Sequence, residues 1–103
     1  MTFEDQRALM LSGRMYDDLT SELIAARARA VTLTDAYNRS LGQSQAEREA
    51  LLRAFLREVG SGAHFEPNFR CEFGFNISIG RSFYANFDCV MLDGREITIG
   101  DNV

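Results

Sequence analysis

The stretch Cys71-Glu72-Phe73-Gly74-Phe75-Asn76-Ile77-Ser78-Ile79-Gly80-Arg81-Ser82-Phe83-Tyr84-Ala85-Asn86-Phe87-Asp88-Cys89-Val90-Met91 decides the fold. Every sixth residue from Phe73 onward gives Phe73, Ile79, Ala85, Met91 and Ile97, and the register two positions earlier gives Cys71, Ile77, Phe83 and Cys89. Neither register contains a charge. Small or aliphatic residues at a period of six mark a parallel β-coil, in which each hexapeptide supplies one short strand and one turn. Side chains two apart on a strand share a face, so both registers point into one interior. The pairs Ile79-Gly80 and Ile99-Gly100 stand twenty residues apart instead of eighteen. Two additional residues near Asp93-Gly94-Arg95-Glu96 account for the offset as a loop inserted at one corner. An antiparallel meander has no reason to repeat the Ile-Gly pair and is disfavoured.

Upstream of this stretch the pattern is helical. A short helix runs from Phe3 to Leu11, with Thr2 and Asp5 resembling an N-cap pair and Ser12-Gly13 as its stop. Leu19, Leu23, Ala26, Ala30, Leu33 and Tyr37 then follow at spacings of three and four, one continuous apolar stripe, with Arg27 and Arg29 off it on the solvated side. Ser44-Gln45-Ala46-Glu47 is a capping box that opens a third helix through Leu51, Leu52, Phe55, Leu56 and Val59, which Gly60-Ser61-Gly62 is expected to stop. Seven of the eleven aromatic residues lie after that point, among strand formers and turn residues. The fold class is therefore α+β, with a helical region over 1–60 and a repeat region over 61–103.

Charge and composition exclude several classes. The 103 residues hold eleven Arg and no Lys against fifteen acids, for a net charge of −4, which is no footprint for nucleic acid. No apolar run approaches the ~20 residues of a membrane span, and the N-terminus lacks the regions of a secretory signal, so a cytoplasmic location is expected. Cys71 and Cys89 belong to no C-x-x-C pair and read as small buried apolar residues. His64 is the single histidine, with no cluster of ligands around it, so no metal is expected.

The segments Phe65-Glu66-Pro67-Asn68-Phe69-Arg70-Cys71-Glu72-Phe73-Gly74, Phe83-Tyr84-Ala85-Asn86-Phe87-Asp88 and Ile97-Thr98-Ile99-Gly100-Asp101-Asn102-Val103 closely resemble the maltose and galactoside O-acetyltransferases, more so the maltose branch. Met10-Leu11-Ser12-Gly13-Arg14-Met15-Tyr16 and Ala36-Tyr37-Asn38 are similar to that family's helical half. The resemblance implies N-terminal helices followed by the first coils of a left-handed parallel β-helix. It further implies acetyl-coenzyme A as acetyl donor, a sugar such as maltose or glucose as acceptor, and a homotrimer with active sites between neighbouring subunits. A histidine base is expected in a Thr-His-Pro-like loop beyond Val103, so the 103 residues read as an N-terminal portion, inactive alone.

By the same resemblance Asp18, Glu72, Tyr84, Asn86 and Asp93 line the sugar pocket or the reaction centre. Carboxylates accept from sugar hydroxyls, an amide orients an acceptor or a carbonyl, and a tyrosine offers a ring face and a hydroxyl. The galactoside branch carries a hydroxyl residue where Glu72 stands and an acid where Gly94 stands, so its acceptor is not transferred. His64 reads as a surface residue at the helix-to-coil junction. Phe69, Phe73, Phe75, Phe83 and Phe87 are expected to stay partly exposed and favour aggregation. The competing reading is a non-catalytic oligomerisation or sugar-binding module, motivated by the long α-helical stripe.

Overall fold

The computed structural model describes residues 3–12 and 20–103. Three helices come first, α1 (Phe3–Ser12), α2 (Ser21–Asn38) and α3 (Gln45–Arg53). Seven short strands follow: β1 (Glu58–Val59), β2 (His64–Phe65), β3 (Phe69–Cys71), β4 (Ile77–Ile79), β5 (Tyr84–Ala85), β6 (Cys89–Met91) and β7 (Ile97–Ile99). They fall into three parallel sheets, β1-β4-β7, β2-β5 and β3-β6, so consecutive strands pass from sheet to sheet in rotation. This is the pattern of a parallel coil and excludes the meander, which would pair consecutive strands.

Every paired residue lies twenty positions after its partner, from Glu58↔Ser78 through His64↔Tyr84 and Phe69↔Cys89 to Ile77↔Ile97. The two additional residues therefore recur in each rung, at 72–76 as well as at 92–96. This corrects the expectation of a single insertion near Asp93. It also removes Phe73 from the six-residue register: Phe73 stands at the inserted corner, and the interior position belongs to Cys71, whose partner is Met91.

The same periodicity corrects the end of the third helix. Helix α3 stops at Arg53 with Ala54 as its C-cap, because Arg57 N–H and Gly60 N–H already donate to Ile77 O and Ile79 O, both at 2.9 Å. Gly60-Ser61-Gly62 is the first of three equivalent coil corners, followed by Gly80-Arg81-Ser82 and Gly100-Asp101-Asn102. At the third position of each corner the backbone is left-handed, with φ of 81°, 57° and 60° for Gly62, Ser82 and Asn102. At the first position the rungs touch. A Cβ on Gly60 would meet Gly80 C at 2.4 Å, and one on Gly80 would meet Gly100 C at 2.7 Å.

The helices close one side of the coil. Thr20 caps α2, its hydroxyl accepting from Leu23 N–H; of the predicted stripe Leu23, Ala30 and Tyr37 are buried, Ala26 and Leu33 are half-buried, and Leu19 lies outside the described residues, while Thr34 is buried beside the stripe. The core joins Tyr37, Leu52, Phe55 and Leu56 of the helical half to Phe65, Phe69, Ile77 and Phe83 of the coil. Phe65 and Phe69 stack with centroids 3.9 Å apart, and Tyr37 meets Phe65 edge-on. Two polar clamps fix the docking: Asn38 receives Phe69 N–H at 2.8 Å and donates to Phe69 O at 3.1 Å, and Tyr37 Oη accepts from Phe65 N–H at 3.0 Å. Burial of Phe69, Phe73 and Phe83 within the chain itself corrects their expected exposure, while Phe87 does face solvent at 68%.

Candidate functional site

The candidate residues form two groups on different parts of the coil. The first is the corner that follows β3. Glu72 leaves the strand partly buried and pairs with Arg27 of α2, Nε to Oε2 at 3.1 Å. The Arg27 guanidinium lies 5.0 Å from the Phe73 ring centroid, and Phe73 stacks on Phe75 at 4.9 Å. Arg27 was expected to be solvated; instead it covers an aromatic ring and holds the candidate carboxylate. A guanidinium over a ring face gains from the ring quadrupole while its N–H fork stays available to an acid.

Asp93 is placed differently from its expectation as a sugar-binding acid. Its side chain is fully buried. Oδ1 accepts from Phe73 N–H at 2.8 Å, and Oδ2 accepts from Gly74 N–H at 2.8 Å and Asn76 N–H at 3.1 Å. The Asp93 carbonyl also receives Asn76 Nδ2 at 2.9 Å. The inserted corner at 72–76 turns three backbone N–H groups inward, where no strand can take them, and this carboxylate satisfies all three. Asp93 therefore builds the corner that presents Glu72 and has no exposed oxygen for a sugar. Gly74 completes the turn at φ 95°, where a Cβ would lie 2.7 Å from Phe55 O.

The second group lies on the sheet formed by β2 and β5. Tyr84 projects outward, 53% exposed, directly above His64 in register. Their rings stack at 5.6 Å and 11°, and Tyr84 Oη donates to Glu66 Oε1 at 3.3 Å. Partial desolvation and the neighbouring Glu66 carboxylate push the Tyr84 phenol up from its ordinary value. Asn86 is exposed two positions on, its Oδ1 accepting from Phe87 N–H at 2.8 Å, which leaves Nδ2 as its outward donor. Asp18, the remaining candidate, lies outside the described residues.

His64 is half-buried and interlocked, not a loose surface residue. Its Nδ1 is 2.6 Å from Arg48 Nη1, and its Nε2 is 3.3 Å from Glu66 Oε1. Sequence reasoning missed Arg48, Glu66 and Arg27 as partners of the candidate residues. The signal for the His64–Tyr84 contact was present as the twenty-residue offset of the Ile-Gly pairs, which places residues 64 and 84 on adjacent rungs. Elsewhere Arg70 is held by Asp35 at 2.5 Å and Thr34 at 2.8 Å, and Arg81 by Asp101 at 3.2 Å. Among the described residues no enclosed pocket and no cluster of metal ligands is found.

Residues 9–60, half of the chain, match the family model described as the maltose acetyltransferase hexapeptide capping motif. The chain belongs to this family. The matched residues take in α2 and α3, which pack on the coil here, α2 through Asn38 and Tyr37 and α3 through Leu52 and Arg48. The chain is 45% identical over 96 residues to nodulation protein L of Rhizobium meliloti, covering 93% of this chain and 52% of that protein. In structure it is similar to a maltose O-acetyltransferase from Clostridium difficile, at a TM-score of 0.85 and 38% identity, over 94% of this chain and 52% of the other. It is also similar to a hexapeptide-repeat acetyltransferase from Vibrio cholerae complexed with acetyl coenzyme A, at a TM-score of 0.80 and 39% identity, over 97% and 52% of the two chains. The chain spans about half the length of the relatives it matches.

Proposed function

We propose that this chain forms the N-terminal half of a sugar O-acetyltransferase that moves an acetyl group from acetyl-coenzyme A to a hydroxyl of maltose, glucose or a related sugar. The observation that carries the reading is the outward pair Tyr84 and Asn86 on one side of the coil, with Glu72 at a corner on another. Two separate half-sites, each too shallow to enclose a ligand, suit a site completed between subunits, and a homotrimer of left-handed β-helices would supply that arrangement. The similarity to the Vibrio cholerae protein, described with acetyl coenzyme A, supports the choice of donor.

In this reading the acceptor hydroxyl attacks the thioester carbonyl, a base takes its proton, and hydrogen-bond donors hold the developing oxyanion. Asn86 Nδ2 is the donor assigned here to the acceptor or to the oxyanion. Glu72, oriented by Arg27, accepts from a sugar hydroxyl, and Asp18 is retained as a second acceptor. His64 does not serve as the base, because Arg48 occupies its Nδ1 lone pair and Glu66 its Nε2 side. The base is assigned to the part of the relatives that this chain does not span. No described helix is long and apolar enough to cross a membrane, and a cytoplasmic enzyme fits the acidic composition.

The test is thiol release from acetyl-coenzyme A by the chain continued over the relatives' full length. Release should require maltose or glucose, and Asn86→Ala should lower kcat/KM by about 10²-fold or more if its amide meets the oxyanion. Sugar-independent release, or none with any mono- or disaccharide, refutes the reading. A second reading, an oligomerisation module, rests on the exposed Phe87, Val90 and Leu92 around β6. It predicts concentration-dependent self-association of residues 1–103 in sedimentation.

A further inference from the structure

The sheet formed by β2 and β5 carries a polar chain that starts in the core and ends at the exposed candidate tyrosine. Arg48 of α3 is buried, with Nε donating to Ser40 Oγ at 3.0 Å, Nη2 to Phe65 O at 3.4 Å, and its guanidinium 4.5 Å over the Tyr37 ring. A guanidinium has only donors, so its 2.6 Å contact makes His64 Nδ1 an acceptor. The His64 proton therefore sits on Nε2, the ring nitrogen that lies 3.3 Å from Glu66 Oε1. That same oxygen accepts the Tyr84 hydroxyl at 3.3 Å, while the His64 ring lies against the Tyr84 ring. A half-exposed tyrosine on a two-residue strand would ordinarily sample several rotamers. Here both its face and its hydroxyl are held, and the holder is anchored through His64 to a buried arginine.

We propose that Glu66 and His64 are positioning residues for Tyr84: they commit the phenol proton to Glu66, so that Tyr84 Oη meets the acceptor sugar as a hydrogen-bond acceptor. This rests on the reading of Tyr84 as an acceptor-site residue. The outward pair then has fixed polarity, an acceptor at Tyr84 and a donor at Asn86 Nδ2. A sugar hydroxyl that donates is matched at Tyr84, whereas a methoxy group at the same carbon brings lone pairs against lone pairs.

Glu66→Ala and Glu66→Gln test this by NMR of the chain carrying labelled tyrosine and histidine. Both replace a partly exposed side chain outside the core. In Glu66→Ala the cross-peaks between the His64 and Tyr84 rings should vanish and the Tyr84 phenol should titrate at lower pH. In Glu66→Gln the phenol should also titrate lower, because the charge is gone, yet the cross-peaks should persist, because the amide oxygen still accepts the hydroxyl. Cross-peaks that survive in Glu66→Ala, or a phenol titration that moves in neither variant, overturn the positioning role. Maltose added to the wild type and to both variants, each continued over the relatives' full length, provides the second arm. Tyr84 shifts in the wild type that weaken about five-fold in affinity for Glu66→Ala support the sugar-facing polarity. Equal affinity in all three overturns that polarity. Intact cross-peaks with no response to maltose or glucose in the wild type refute only the acceptor-site reading of Tyr84.

Discussion

Replacing Asp93 with alanine removes one carboxylate and strands three backbone donors, the N–H groups of Phe73, Gly74 and Asn76. All three hydrogen bonds are buried, and two measure 2.8 Å, the length expected of bonds to a charged acceptor. Leaving one buried donor unpaired costs about 1–3 kcal/mol, and the three share one acceptor and one corner, so their losses do not simply add. A net loss of about 4 kcal/mol follows, a large part of the roughly 5–15 kcal/mol that stabilises a domain. With a urea m-value of about 1–1.5 kcal/mol/M for a chain of this size, the unfolding midpoint should fall by about 3 M. Asp93→Asn, which keeps the volume but sets an N–H₂ against at least one donor, should fall between alanine and wild type. Amide exchange localises the effect: Phe73, Gly74 and Asn76 should lose protection before the sheet residues do. A midpoint within about 0.5 M of wild type, with these three amides still protected, would refute the corner's dependence on Asp93 and reopen that carboxylate as a ligand group.

Space beside the backbone predicts opposite outcomes for two glycines. Gly60→Ala drives a methyl into the Gly80 and Arg81 backbone, closer than 3.0 Å, and should cost about 3 kcal/mol, whereas Gly42→Ala, in the loop before α3, meets nothing within 4 Å and should unfold with the wild type. Burial, and secondarily the charge of Asp93, push the Cys71 thiol up to about 12, so Cys71 should resist alkylation at pH 8 in the folded chain and react once urea unfolds it. The Glu49 carboxylate is held below its ordinary value of 4.5, first by the Gln45 amide, then by Gly62 N–H and Arg53, against the opposing effect of burial. Its folded form binds protons less readily than its unfolded form, so its contribution is complete above pH 4.5 and disappears as pH falls through the lower folded value. Urea midpoints measured from pH 6 to pH 3 should therefore fall less steeply in Glu49→Gln than in wild type.

Asp93 and Glu72 illustrate how a candidate site residue and its support differ in kind. Both are acids at inserted corners, on successive rungs, and both are compatible with binding a sugar when read as residue types. Burial separates them: one spends every oxygen on the backbone, and the other stays partly exposed with a guanidinium beside it. Likewise Tyr84 by itself is an exposed aromatic, and Glu66 decides which end of its hydrogen-bonding capacity is turned outward.

The sequence by itself determined the class of fold, because period and composition are local. Charge-free positions at intervals of six require strands that share an interior, the Ile-Gly pairs mark where rungs turn, and Ser44 and the Leu19-to-Tyr37 stripe specify helices that bury one face. Its resemblance to a known family nominated Asp18, Glu72, Tyr84, Asn86 and Asp93 as candidates. What it left open concerns contacts between residues far apart in the chain. The six-residue pattern is compatible with one insertion or with two, and only the pairing of Cys71 with Met91 shows that Phe73 belongs to a corner. Gly60-Ser61-Gly62 reads as a helix stop until its backbone is seen against Gly80-Arg81-Ser82. Tertiary structure alone buried Asp93, laid Arg27 over Phe73, and joined Arg48, His64, Glu66 and Tyr84 into one chain. The physical reason is that a carboxylate, an arginine or a histidine has no intrinsic address. Its role is set by which donors and acceptors the folded backbone leaves unpaired beside it.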